Sequence, residues 1–390
     1  MNKTIHWLGA GLSAPPGIKR LAKTIHPLIV WERNLAQAQQ ALANSPVVID
    51  IRAFDWQLLD LEINTGDVVV SMLPATMHLS VATLCLRHNA HFVCSSYISA
   101  EMEALDGQTK ALDLCFVNEV GLDPGIDHLM AHSLMAQYRR SEQFSTDNHL
   151  YFRSYCGGFP KIANDFKYKF SWSSLGVLKA LNSPAKWLAD GQIQTSEAPW
   201  QALSDYTVEH LDRRETFQAY PNRDSLPFVA RYGLEPEWII KEFVRGTLRL
   251  AGWSTAWQSI FEQVAKLSQD HISSDAAEQQ LKQISKELEQ KYSYQKNEPD
   301  RVVLSVELEA KKAGKSVWHR SFLIDASGND QGQAMARLVS LPVSIAVEGV
   351  LNGDLATGVS AAPSDALTVE LWLSQIKQWG EPLYCQDHLN

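Results

Sequence analysis

Gly9-Ala10-Gly11-Leu12-Ser13-Ala14 stands directly after a short apolar run that ends at Leu8. A turn of that composition suits one task in particular, bringing backbone N–H groups against a pyrophosphate. The first glycine permits a tight turn, the second clears room for the phosphates, and Ala14 is small enough for helix–strand contact. Pro15, Pro16 and Gly17 follow. Proline is tolerated in a first helical turn, where its missing N–H has no partner to lose, so a helix N-terminus would face the phosphates. Glu32 lies 21 positions after Gly11, a spacing at which a carboxylate accepts from the adenosine ribose and repels a 2′-phosphate, which favours NAD. Arg33 is next in the chain and could pair with that phosphate instead, so NADP stays open. Asp123, followed by Pro124 and Gly125, leaves one predicted strand, and Ser95, Ser96 and Tyr97 leave the strand before it. Loops at the carboxyl edge of an open parallel sheet are where such sheets bind ligands, so Asp123 is placed to reach the nicotinamide side of a cofactor.

These residues need elements to hold them, and the first third of the chain supplies an alternation. Apolar runs at Thr4–Leu8, Pro27–Trp31, Val47–Asp50, Asp67–Met72, His91–Ser95 and Leu114–Asn118 are expected as strands, separated by segments such as Leu35–Ala43 and His78–His88 with helical spacing. Continuous rather than alternating apolar strands predict a parallel sheet covered on both faces. Later segments, around Thr146–Cys156, Asp300–Glu309 and Ser316–Asp325, alternate apolar and polar residues and predict a second, mostly antiparallel sheet. Ala256–Tyr294 and Asp365–Trp379 read as helical. The expected fold class is α/β: a Rossmann-type doubly wound parallel sheet, a second α+β substrate domain, and a small helical section. The boundaries expected are residues 1–125 for the nucleotide domain, 126–255 with 298–354 for the substrate domain, and 256–297 for the helical section.

Composition removes several function classes. The 390 residues carry 35 Lys+Arg against 44 Asp+Glu, a net charge of −9, so no basic surface exists to drive phosphate-backbone binding and no nucleic-acid partner is expected. No run approaches 18 consecutive apolar residues, and no leader pattern precedes the first strand, so a cytoplasmic protein without a membrane partner is expected. The five cysteines, Cys85, Cys94, Cys115, Cys156 and Cys385, show no metal-ligand spacing, and no metal is expected.

From Gly66 onward the chain resembles the saccharopine reductase family, the glutamate-forming saccharopine dehydrogenases. The resemblance is carried by Gly66–Pro74 (GDVVVSMLP), Ser95–Ser99 (SSYIS), Asn118–His128 (NEVGLDPGIDH), Tyr155–Pro160 (YCGGFP), Lys169–Ser173 (KFSWS), Tyr220–Ser225 (YPNRDS), Arg245–Arg249 (RGTLR) and Thr357–Val359. It implies an oxidoreductase of lysine metabolism that interconverts saccharopine with L-glutamate and 2-aminoadipate 6-semialdehyde by hydride transfer and imine chemistry. It also implies a homodimer, and a stretch from about residue 355 to 390 that returns to the nucleotide domain. Site residues follow from it too. Gly9, Gly11, Leu12, Ser13, Glu32, Arg33, Asp50, Ile51, Ser95, Leu122, Pro124 and Ser173 would border the cofactor. Ser96, Tyr97, Asp123, Arg223, Thr247, Leu248 and Arg249 would contact the substrate, and Asp123, Tyr97 and Cys156 would handle protons. A tri-carboxylate substrate calls for guanidinium groups, whose planar fork grips a carboxylate with two parallel bonds; Arg223 and Arg249 suit that task. Two alternatives stand beside this reading. One is a related dehydrogenase of another amino-acid conjugate, of opine or carboxynorspermidine type. The other is a nucleotide-binding sensor without turnover.

Overall fold

The computed structural model describes residues 3–210, 213–269 and 274–389. These fall into two compact units, residues 1–129 with 330–376 and residues 130–329 with 377–390.

In the first unit, strands β1 (Ile5–Leu8), β2 (Leu28–Glu32), β3 (Asp50–Ala53), β4 (Val68–Ser71), β5 (His91–Cys94) and β6 (Cys115–Val117) join Gly358–Ser360 in one seven-stranded sheet. The order is Gly358–Ser360, β6, β5, β4, β1, β2, β3, and every pairing is parallel. All four residues of β1 and of β4 are buried, as expected of central strands with helices on both faces. Strand order reverses between β1 and β4, which puts the glycine turn after β1 at the switch point where doubly wound sheets bind ligands. Trp31, Val69, Phe92 and Phe116 anchor the core on one side.

One strand differs from its expected position, with a consequence for the site. Val47 and Val48 are exposed, and β3 begins at Asp50, where the apolar run was expected to end. Edge strands bury little, so the run of valines was a poor guide there, and the polar DIRA segment pairs with β2 instead.

The C-terminal boundaries also differ. Ala334–Asn352 forms one helix that continues through Pro342 and belongs to the first unit, not to the substrate domain. It is long and apolar enough to cross a membrane by length and composition, yet 83% of its apolar window is buried inside the protein. Burial explains the composition: Gly17 N donates to Ser340 Oγ at 2.9 Å, and a Cβ on Gly17 would stand 2.4 Å from the Ser340 carbonyl oxygen. Close helix contact thus falls to Gly17. The chain after residue 376 leaves this unit, and Leu383–Asp387 adds a strand to the second sheet. The segment 256–297 is part of the second unit and not a unit of its own.

The second unit is built on a nine-stranded sheet. Its strands are β7 (His149–Pro160), β8 (Ala185–Ala189), β9 (Gln192–Ser196), β10 (Ser204–His210), β11 (Arg213–Pro221), β12 (Ile239–Arg249), β13 (Asp300–Lys312) and β14 (Lys315–Ser327), with Leu383–Asp387 at the end. The main path runs β10, β11, β12, β7, β13, β14, Leu383–Asp387. All its pairings are antiparallel except β12 with β7. One face carries Tyr155, Phe217, Leu248 and Val303 in an apolar cluster. On the other, Tyr220 packs with Tyr168, Trp253, Trp257, Phe261 and Leu178, residues from the loops and helices that cover it.

Beside the first of these clusters lies a half-buried charge network. Glu307 accepts from Arg153 NH1 at 3.0 Å, from Tyr206 OH at 2.9 Å, and pairs with His319 Nε2 at 2.7 Å. Burial alone would raise the Glu307 pKa, but the His319 bond and the Arg153 charge outweigh it and hold the carboxyl at about 2. A depressed carboxylate contributes stability above its unfolded pKa and loses it as pH falls through the folded value. Wild-type protein should therefore lose about 3 kcal/mol between pH 4.5 and pH 2 through this group. Urea midpoints measured against pH should show a shallower acid limb for Glu307→Gln than for wild type, and superimposable limbs would refute the assignment.

Candidate functional site

In the first unit the candidate residues gather at the carboxyl edge of the parallel sheet. Gly9 has φ +92°, and a Cβ there would press on the Met72 carbonyl at 3.1 Å. A Cβ on Gly11 meets nothing within 4 Å, so the turn has open space in front of its second glycine, the room a pyrophosphate needs. Leu12 is exposed and Ser13 half-buried. Glu32, at the end of β2, accepts from Ala10 N at 2.6 Å and from Arg33 N at 2.7 Å. Its carboxylate thus ties the strand end to the glycine turn, where it was expected. Arg33 is exposed, with its guanidinium carbon 5.9 Å from the Phe54 ring centroid.

Asp50 and Ile51 are not at this edge. Register pairs Asp50 with Ile29 and Ala53 with Glu32, so Asp50 is three residues short of the carboxyl end, roughly 10 Å at the rise of a strand. Asp50 also holds Arg52, at 2.8 Å. The resemblance set both beside the cofactor, and the strand that carries them begins at Asp50 and does not end there.

At the ends of β5 and β6 two segments meet. Tyr97 OH donates to Asp123 Oδ1 at 3.1 Å, which brings together two of the three expected proton-handling residues. Ser95 Oγ lies 3.8 Å from Met72 Sδ, Leu122 and Pro124 are buried, and Ser96 is half-buried. The segments are locked by Glu119, Asp127 and His128. Glu119 accepts from Ile98 N at 2.9 Å and meets His128 Nε2 at 3.0 Å, while Asp127 accepts from Gly125 N at 2.7 Å and its second oxygen lies 3.5 Å from His128 Nδ1. Glu119, Asp127 and His128 are all at most 2% exposed. They hold the Tyr97 and Asp123 segments side by side.

In the second unit the parallel pairing of β12 with β7 and the antiparallel pairing with β11 set Tyr220, Thr247 and Cys156 in one row across the sheet. Arg249 is two residues beyond Thr247 and shares its face; Leu248, between them, points the other way into the apolar cluster. Leu248 therefore offers the Arg249 face its backbone and not its side chain. The close β7–β12 approach requires small residues: a Cβ on Gly246 would stand 2.4 Å from the Tyr155 ring.

Arg249 is 7% exposed. Its guanidinium carbon lies 5.0, 5.4 and 5.3 Å from the ring centroids of Tyr168, Tyr220 and Trp253. NH1 donates to the Leu248 carbonyl at 3.2 Å, Nε is buried without an acceptor, and no carboxylate pairs with this cation among the described residues. Burial raises the Tyr168 and Tyr220 phenol pKa values, the Arg249 charge opposing it, so both rings are neutral. A buried cation held by aromatic faces and a carbonyl, with no carboxylate beside it, is incompletely compensated, which is what an anion-binding group looks like before its ligand arrives.

Arg223 is exposed and lies in a left-handed conformation, φ +57°, just after β11. Its carbonyl accepts from Lys186 N at 2.9 Å, and Asn222 N donates to the Arg245 carbonyl at 2.8 Å, so the turn is fixed on both sides. Ser173 caps the helix Ser174–Leu181 by accepting from Gly176 N at 3.1 Å, and is exposed. Cys156 is 9% exposed. Residues the sequence reading missed are the aromatic cage and Arg245, which is 4% exposed on the Arg249 face of β12 and stacks at 4.0 Å on Phe228. The signal was present: Tyr168 immediately precedes one family-like motif and Tyr220 opens another.

Comparisons with known proteins find a nucleotide-binding part and a C-terminal part, the latter running through residues 330–376 of the first unit. A family model described as the saccharopine dehydrogenase NADP binding domain matches residues 5–116, and one described as the saccharopine dehydrogenase C-terminal domain matches residues 121–380. The chain is 29% identical, over 96% of its length and 97% of the relative's, to a Pyricularia oryzae protein named saccharopine dehydrogenase [NADP(+), L-glutamate-forming]. It is 37% identical to the Saccharomyces cerevisiae protein of the same name over 65% of this chain and 56% of that one. The solved structure of apo saccharopine dehydrogenase (L-Glu forming) from S. cerevisiae superimposes with TM-score 0.78 at 27% identity, covering 99% of this chain and all (100%) of that one. A homospermidine synthase from Legionella pneumophila, at TM-score 0.66 and 9% identity, shares the fold alone.

Proposed function

The chain belongs to the saccharopine dehydrogenase family, and from that premise we propose that it interconverts saccharopine, oxidised NADP and water with L-glutamate and 2-aminoadipate 6-semialdehyde. The observation that carries this reading is Arg249, a buried guanidinium with an aromatic cage and no carboxylate partner among the described residues. Saccharopine brings three carboxylates, and one of them completes the charge. A cationic polyamine conjugate would meet a like charge there, which disfavours the carboxynorspermidine-type alternative.

The nicotinamide, when bound, takes up hydride from the carbon that bears the secondary amine; the hydride chemistry is the cofactor's. Gly9–Ser13 and Glu32 fit the cofactor's adenosine and pyrophosphate, with the open space at Gly11 for the phosphates. The chain's own work is orientation and proton transfer. Tyr97 and Asp123, joined by their hydrogen bond, take the proton from the amine and later serve the water that adds to the imine. Thr247 and Arg249 hold substrate, with Arg223 as a second cation for its carboxylates. Cys156 borders the same row as a hydrogen-bonding wall residue, since an imine reaction calls for no thioester.

The expected preference for NAD is not supported. The matching nucleotide-domain model is described as NADP binding, and the P. oryzae and S. cerevisiae relatives are named for NADP. Glu32 is engaged by the backbone of the glycine turn, and exposed Arg33 beside it is the group suited to a 2′-phosphate. Arg33→Ala should raise the KM for NADP by about 10- to 100-fold and leave that for NAD nearly unchanged; equal effects on both would remove Arg33 from the phosphate site. The reading as a whole is tested by incubating pure protein with saccharopine and each oxidised cofactor, following reduced nicotinamide by absorbance and glutamate by amino-acid analysis. Turnover with NADP is expected, and no reduction with either cofactor would overturn the proposal in favour of a sensor without turnover.

A further inference from the structure

At the carboxyl edge of the first sheet Ser96, expected to contact the substrate, is joined in a chain to two side chains outside the roles above. Ser71 ends β4, His78 opens the helix His78–His88, and Ser96 follows β5 by two residues. Ser71 Oγ is 2.8 Å from His78 Nδ1, and His78 Nε2 is 2.8 Å from Ser96 Oγ. Phe92 packs edge-on against the imidazole, ring centroids 6.2 Å apart, and fixes its plane. Ser71 is fully buried, His78 is 6% exposed, and Ser96 is half-buried beside Tyr97. Burial lowers the His78 pKa to about 4, so near neutral pH the ring carries one N–H.

One ring proton gives the chain a direction. Among the described residues His78 Nδ1 is the side-chain partner of the Ser71 hydroxyl. Were Nδ1 to carry the proton, the Ser71 oxygen would accept it and the Ser71 O–H would be buried without an acceptor among the described residues, an arrangement native interiors avoid. Ser71 therefore donates to Nδ1, Nε2 carries the proton and donates to Ser96 Oγ, and the Ser96 hydroxyl proton is directed away from His78. We infer that Ser71 and His78 fix Ser96 as a hydrogen-bond donor beside Tyr97, and that its ligand is an anionic oxygen of the carboxylate class. His78 is a positioning residue that acts through Ser96. Were Nε2 an acceptor, the Ser96 proton would be spent on the imidazole; the Nε2–H removes that orientation and leaves the Ser96 O–H to a carboxylate.

The inference rests on the saccharopine reading, and two measurements keep the two apart. Protein labelled with ¹⁵N-histidine reports tautomers directly, and His78 is the signal that shifts in both Ser71→Ala and Ser96→Ala. The Nε2–H tautomer is expected in wild type, with movement toward Nδ1–H in Ser71→Ala; a wild-type Nδ1–H tautomer overturns the inference whether or not the protein turns over. In steady-state assays Ser96→Ala should raise the saccharopine KM by about tenfold and leave that for NADP unchanged. Ser71→Ala alters one buried oxygen that touches no ligand, and should raise the saccharopine KM by about threefold. With Ser96 gone there is nothing left to orient, so the double variant should match Ser96→Ala. An unchanged KM in Ser71→Ala, or effects that multiply in the double variant, would overturn the chain's role. Absence of wild-type turnover would instead remove the saccharopine reading.

Discussion

Replacing Arg249 by methionine is expected to raise the KM for saccharopine by roughly 30-fold to several thousandfold, about 2–5 kcal/mol, with little change in the KM for NADP. The size follows from burial. An ion pair at the surface is worth about 0–1 kcal/mol because water competes for both partners, but the Arg249 guanidinium is 7% exposed and has already given up most of its hydration. The rings of Tyr168, Tyr220 and Trp253 offset part of that cost, at about 0.5–2 kcal/mol each. A carboxylate entering this cage meets a desolvated fork, and losing the fork leaves the carboxylate desolvated without a partner. Methionine keeps the length and apolar stem, so the cage is not emptied. Arg249→Lys should recover part of the affinity through charge but not the two-bond geometry. Steady-state kinetics with each substrate varied in turn checks this, with urea unfolding alongside. Equal loss of saccharopine and NADP affinity, or none, would take Arg249 out of the substrate site.

Gly125→Ala should cost more than about 3 kcal/mol of stability, or abolish folding of the first unit. Gly125 has φ +148°, a region L-residues rarely enter, and a Cβ there would stand 2.0 Å from the Gly121 carbonyl oxygen and 2.4 Å from its nitrogen. Both obstacles are backbone, so no side chain can turn aside. The loop that would have to rebuild carries Asp123 and its bond to Tyr97, so any protein that does fold should also lose turnover. Gly107→Ala makes the contrast. Its added methyl meets nothing within 4 Å and lies within the helix Asp106–Ala111, where alanine is favoured by about 0.5–1 kcal/mol. The same substitution should thus have opposite signs at the two positions, read from urea midpoints. A Gly125→Ala midpoint within error of wild type would refute the close approach described at Gly121.

The parts of this protein that were legible in its sequence share one property: they depend on neighbours in the chain. Apolar runs separated by helical spacing reported a parallel sheet, and a Gly-x-Gly turn immediately after the first run reported the nucleotide edge, because strand, turn and helix start are contiguous there. The motifs around Asp123, Arg223 and Arg249 reported the family in the same way. The errors came where a pairing partner decides. Which end of β3 holds Asp50 depends on its register with β2, and an exposed edge strand carries too little apolar pattern to announce that register. Leu248 and Arg249 were read as one contact segment, although period two sends neighbouring side chains to opposite faces; pattern alone does not say which face meets a ligand. The tail differed for a similar reason, since Leu383–Asp387 becomes a strand only because β14 offers it an open edge.

What the sequence by itself determined, then, is the doubly wound nucleotide unit, the second sheet, a dinucleotide turn without the choice of NADP over NAD, and the family. Tertiary structure alone decided which charged and polar groups are buried together: Arg249 with rings from residues 168, 220 and 253, His128 between Glu119 and Asp127, and His78 between Ser71 and Ser96. The physical reason is that a guanidinium or imidazole has the same local preferences in a strand or helix whatever surrounds it. Its hydration, protonation and direction of hydrogen bonding are set by atoms from distant segments, and those are fixed only when the chain has closed around it.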